Sequence, residues 1–274
     1  MTISRSLSLL AVALGAAVAE PVITAHPAAA AVELLSHRAA YRLSLAEGSS
    51  ATGGVAAVRG GLVIEWRDSC AGAISNQRLG FIASLDEGGD STYDIRFSSW
   101  ESPDNTQLRF TVRSFDDGYL YEEFRGEATL DNAGAGLAAF SEPPGEELAL
   151  PRGTLFPSEH LRRVIAGAER GDVVISHDVF DGSGPEGLSH VTAVIGKGTP
   201  APEDGDMSGK LRWPVTLAYH DAQGADDMPV FEIAFKLSDR GVLHDLLLDY
   251  GDFTLEGKLE QLDIFDPPEC GPTR

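Results

Sequence analysis

Residues 150–182 read LPRGTLFPSEHLRRVIAGAERGDVVISHDVFDG, and the fold turns on them. Leu161, Val164, Ile165 and Ala168 fall at i, i+3, i+4 and i+7, one apolar stripe at the period of an α-helix. Pro157 suits the first helical position, Glu159 puts an acid where the helix dipole favours it, and Arg170 followed by Gly171 is a stop signal. The spacing predicts an amphipathic helix over 157–170, the one convincing helical signal in the mature sequence.

On both sides of it the chain alternates with period two. Tyr41, Leu43 and Leu45 share one face, as do Tyr93, Ile95, Phe97 and Ser99, then Leu108, Phe110 and Val112. Beyond the helix, Trp213, Val215, Leu217 and Tyr219 repeat the pattern, followed by Phe231, Ile233, Phe235 and Leu237, and by Phe253, Leu255, Gly257 and Leu259. Tight turns rich in Gly, Asp and Asn separate these runs, giving about a dozen antiparallel strands. A helix with one apolar face must cover a sheet. The expectation is an all-β chain of two curved, half-barrel-like sheets over 36–150 and 172–265, with the helix between them as a plug or strut.

The front end reads as an export signal. Residues 1–5 carry one basic side chain, 6–17 are rich in Leu and Ala, and Ala17-Val18-Ala19 has the small-x-small pattern of a signal peptidase site. A cut after 19, or as late as 31, leaves a single domain from 32 to 274 in an oxidising compartment. No Cys follows the apolar run, so this is not a lipoprotein signal, and no later segment is apolar enough to span a bilayer. The two cysteines, Cys70 and Cys270, are expected to pair. Bridging would tie down a Pro-rich tail, 266–274, that has little apolar content to bury. A net charge of −21 and a pI near 4.5 exclude a phosphate-neutralising basic patch, so nucleic acid is not an expected partner.

Signatures of chemistry are few. GxSxG, HExxH, CxxC and P-loop patterns are absent, and a GxGxxA match at 134–139 lies between strands and opens no helix. In His177-Asp178, His220-Asp221 and His244-Asp245 adjacent strand residues point to opposite faces and do not easily serve one centre, and a metal site needs three or four converging ligands, so they read as surface or turn pairs. His160 reads as a side chain that bonds loop carbonyls and locks the helix in place. No catalytic residue, metal site or cofactor is assigned.

The helix corner Leu150-Pro151-x-Gly153-Thr154-x-Phe156-Pro157-x-x-His160, the run Phe180-Asp181-Gly182-Ser183, the late Asp249-Tyr250-x-Asp252-Phe253, and the opening His37-Arg38-Ala39-x-Tyr41 together resemble the family of the cell envelope integrity protein EipB. The resemblance covers the whole mature chain. It implies a soluble periplasmic protein of Gram-negative bacteria, a β-spiral of two half-barrels around a helix, a Cys70–Cys270 disulfide and no enzymatic activity. One departure is visible: the family tends to place Trp just after the first Cys, where this chain has Ala71. The leading functional expectation is a non-catalytic scaffold that binds another periplasmic or envelope protein, a helical-repeat protein among the candidates. The alternative is a lipid or lipoprotein carrier using a concave apolar surface for an acyl ligand.

Overall fold

The computed structural model describes residues 32–49, 54–202, 208–222 and 228–270. The export signal read at the N-terminus lies outside them. The first half of the chain forms β1 (His37–Leu45), β2 (Val55–Ser69), β3 (Gly72–Leu85), β4 (Asp90–Glu101), β5 (Gln107–Asp116), β6 (Tyr119–Leu130), β7 (Gly136–Glu142) and β8 (Glu147–Leu150). The helix α1 (Pro157–Arg170) follows. The second half supplies β9 (Val174–Phe180), β10 (Leu188–Ile195), β11 (Thr199–Pro200), β12 (Leu211–Asp221), β13 (Phe231–Ser238), β14 (Leu243–Asp249) and β15 (Thr254–Ile264).

Almost every neighbour in the sheet is a neighbour in sequence, because tight turns fold each strand back on the one before it. The path runs β8-β7-β6-β5-β4-β3-β2-β1-β15-β14-β13-β12-β10-β9, with β11 added beside β12. The two halves are therefore one sheet, joined where β1 pairs antiparallel with β15 from His37↔Ile264 to Leu45↔Leu255. That long-range pairing removes the two edges the halves would otherwise expose. The sheet curls into a nearly closed barrel whose remaining seam lies between β8 and β9.

The helix corner fills that seam. Leu155 bridges to Val179 in parallel: its N–H donates to the Asp178 carbonyl at 2.9 Å, and the Phe180 N–H returns a bond to the Leu155 carbonyl at 3.0 Å. Phe156 and Phe180 flank this bridge and are wholly buried. Phe180 meets Phe110 of β5 edge-on at 5.6 Å, and Phe110 meets Phe140 of β7 at 5.3 Å. Gly182, at φ 80°, makes the close approach feasible, since a Cβ there would sit 2.7 Å from the Phe110 side chain. These aromatics, with Leu108, Leu150 and Leu188, form a smaller second core under β5–β8.

Helix α1 lies inside the barrel. Val164, Ile165 and Ala168 are buried in the main core, while Leu161 is half-buried at its margin. Pro157 takes the first helical position, and the helix ends at Gly171 in the left-handed conformation, with the Gly171 and Asp172 N–H groups on the Ala168 and Gly167 carbonyls. The start has no cap from its own N-terminal neighbour Phe156. Glu101, at the end of β4, supplies one from across the barrel. Its carboxylate accepts from the Ser158 N–H at 3.1 and 3.2 Å and from Ser158 Oγ at 2.7 Å. Trp66 Nε1 on β2 donates to the same Ser158 Oγ at 3.1 Å.

Cys70, in the β2–β3 turn, is bonded to Cys270 across 200 residues of sequence. Trp100 of β4 donates to the Ala71 carbonyl at 3.1 Å and packs against Gly72, beside the bridge. Arg67 lies 3.5 Å over the Phe265 ring, and the Phe265 N–H reaches the Ser36 carbonyl, so the start of the tail is held independently of the bridge.

Candidate ligand cavity

Strand alternation gives the barrel an inner and an outer face, and the outer face is ionic. Arg78 of β3 makes two bonds to Asp94 of β4, which also accepts from Arg96, and Arg113 and Arg125 share Glu123. Residues one step along each strand point inward. The inner face does not close on itself: Leu79, Ile95, Phe231 and Ile233 face the interior yet remain only half-buried. They line a cavity of about 460 Å³, within the range of small-molecule sites.

One wall of that cavity is apolar throughout, with Leu217, Phe235, Leu246 and Leu248 from β12–β14. Aromatic rings continue this wall. Tyr219, Phe231, Tyr250 and Phe253 follow one another at centroid spacings of 5.6, 5.0 and 5.2 Å. The first turn of α1 contributes Pro157, Ser158, His160 and Leu161, so the helix is at once a core element and part of the cavity wall. Burial holds the Glu101 carboxyl above the usual carboxylate range despite its bonds to Ser158, and it raises Asp181, also in the lining, in the same way.

The histidines depart from their sequence reading. His160 is buried and its Nε2 has no hydrogen-bond partner; its ring instead packs edge-on against His177 at 5.9 Å, so it does not bond loop carbonyls through that atom. His177 Nδ1 is likewise buried and unpartnered. His244 is no surface residue either: it is buried in β14 with Nε2 3.1 Å from Ser208 Oγ, while its neighbour Asp245 points out and pairs with Lys236. Asp178 pairs across strands with His190 rather than with its sequence neighbour. Among the described residues, no group of three His, Cys, Asp or Glu side chains could hold a metal.

Burial, with the His177 ring close by, lowers His160 from 6.5 to about 4. A base whose folded pKa is depressed leaves the unfolded chain as the better proton acceptor, so its stability contribution is complete above pH 6.5 and falls as pH drops toward about 4. The loss approaches roughly 3 kcal/mol. Glu101 and Asp181 act in the opposite direction, so the comparison must be with His160→Phe. That variant should lose distinctly less stability than the parent between about pH 7 and about pH 4.5 in urea melts. Equal losses would show that His160 is not the acid-sensitive group.

A protein-family model described as EipB-like matches residues 28–266. The chain belongs to this family. The EipB-like chain is 36% identical over 247 residues, 87% of each partner, to the cell envelope integrity protein EipB of Brucella abortus (strain 2308). Among solved structures it matches a beta-barrel-like protein of domain of unknown function DUF1849 from Brucella abortus, with TM-score 0.78 and 35% identity, over 86% of this chain and all of that one.

Each family-like segment has a physical task in this fold. Gly153 and Thr154 build the corner beyond β8: Gly153 is left-handed at φ 92°, and Thr154 Oγ1 bonds the Pro151 carbonyl at 2.7 Å. Phe156 and Phe180 seal the seam. The Asp249–Phe253 turn places the cavity ring Tyr250 and stacks Phe253 against it, and Tyr41 of the opening motif donates to the Leu243 carbonyl at 2.8 Å. Glu101 and Ser158, the buried link that seats the helix, went unnoticed in sequence. The only signal for Glu101 is an acid continuing the inward parity of Phe97 and Ser99.

Proposed function

We propose that this protein supports cell envelope integrity as a non-catalytic periplasmic carrier or sensor, holding an acyl-bearing ligand inside its barrel. The observation that carries the reading is the apolar, incompletely filled cavity between β3–β4 and β12–β14. The name of the Brucella relative supports the envelope role. The disulfide fits an oxidising compartment. Ser158 has its hydroxyl committed to Glu101 and Trp66, so it is not free to act as a nucleophile. Nile red, an uncharged fluorophore, should bind saturably and be displaced by long-chain but not short-chain acyl amphiphiles. Linear, non-saturating fluorescence would contradict the reading.

A second reading, binding of another envelope protein, draws on the turns along one edge of the barrel. Tyr119 and Tyr121 beside the β5–β6 turn are 79% and 57% exposed, and Met228 and Val230 before β13 are 72% and 65% exposed. Exposed aromatic and Met side chains are typical of protein contacts. A photo-crosslinker at Tyr121 should then capture a defined partner that one at Val174 does not.

A further inference from the structure

The inner face of β3 and β4 changes character along its length. Phe81, Leu79, Tyr93 and Ile95 face inward at one end; at the other, Ser75 stands directly opposite Ser99 and Gln77 opposite Phe97, one pair further along. Arg78, between Gln77 and Leu79, bonds Asp94 on the outer face, which fixes Gln77 as inward-facing. Ser75, Gln77 and Ser99 all line the cavity. Directly opposed residues on one face lie about 5 Å apart, so the three form one contiguous polar patch in a mainly apolar chamber. None of the three side chains makes a hydrogen bond to the described protein. Ser99 is buried and Ser75 half-buried, so their hydroxyls are costly there unless something satisfies them, while Gln77 is exposed; a serine or glutamine can donate as well as accept.

The charges around the patch select the head group it suits. Glu101 adjoins it and Asp181 lies elsewhere in the lining, both acids. The positive end of α1, the natural anion site, already holds the Glu101 carboxylate. Among the described residues, Arg240 is the only Lys or Arg in the lining, and it lies exposed on the β13–β14 turn beside Gly241, which packs on Leu34 and Leu161. A carboxylate or phosphate at the patch would lose its water without gaining a cation.

Resting on the cavity reading above, we infer that the ligand is an acyl amphiphile with an uncharged, hydrogen-bonding head, an ester or amide, seated at Ser75, Gln77 and Ser99. Displacement of Nile red from the oxidised protein at neutral pH separates the alternatives. Monopalmitin, an uncharged ester, should compete at roughly tenfold lower concentration than palmitate, which has the same chain and a carboxylate head. Gln77→Leu should shrink that preference about fivefold, the worth of a lost hydrogen bond, with melting unchanged. Ser99→Ala serves as the second variant if Gln77→Leu folds poorly. Palmitate competing as well as monopalmitin, or depending on Arg240 as judged by Arg240→Ala, would overturn the inference and leave the cavity reading intact. Displacement by neither would overturn both.

Discussion

Ile165→Asp should destabilise the protein by about 5 kcal/mol, enough to unfold many domains outright. Ile165 is wholly buried, and it packs in the main core with Val164, Ala168 and side chains of the second half-barrel. The substitution removes an aliphatic side chain and leaves a carboxylate with no cation to pair with. Arg162→Ala is the contrast. Arg162 is half-buried and reaches Asn105 only at 3.5 Å, so its loss should cost under about 1 kcal/mol. Chemical denaturation of both variants checks this. An Ile165→Asp variant that melts like the parent while losing only ligand binding would mean that α1 is a loose lid and not a core element.

The reason lies in what α1 touches. Its apolar stripe was legible from four residues at helical spacing, and the strands from alternation, because both are local patterns. The closure of the sheet was not, since nothing in Tyr41-Arg42-Leu43 names Gly257 and Leu259 as its partners across more than two hundred residues. Nor was the cap: a helix beginning Phe156-Pro157-Ser158 lacks a capping side chain of its own, and the carboxylate that supplies it comes from a strand 57 residues earlier. The cavity depends on the same long-range geometry. Alternation says which residues face inward but not whether the opposite wall comes close enough to fill the space. His244 escaped for another reason: it is buried against Ser208, from the segment before β12, and the pattern within β14 does not reveal that contact.

Removing the Cys70–Cys270 bridge should give the other large effect. It closes a loop of 200 residues, for which the chain-entropy model gives about 5 kcal/mol as an upper bound, because residual structure in the unfolded chain lowers it. Cys270→Ser should lower the melting temperature by many degrees and open the tail beyond Phe265 to proteases. The barrel should survive, because the Arg67–Phe265 stack and the β1–β15 ladder lie inside the bridge and do not need it. Far-ultraviolet dichroism that keeps its strand signal at low temperature would agree. Loss of that signal would mean that the bridge, and not the β1–β15 pairing, holds the two halves together.

The most direct test of an acyl ligand inside the barrel is methyl NMR of the oxidised protein titrated with monopalmitin. The expected result is saturable shifts at Ile95, Ile233, Leu79 and Leu246, all on the cavity wall, with Ile74 and Val194 on the outside unmoved. Shifts confined to the outer methyls, or no saturable shift at any of the four inner ones, would contradict it.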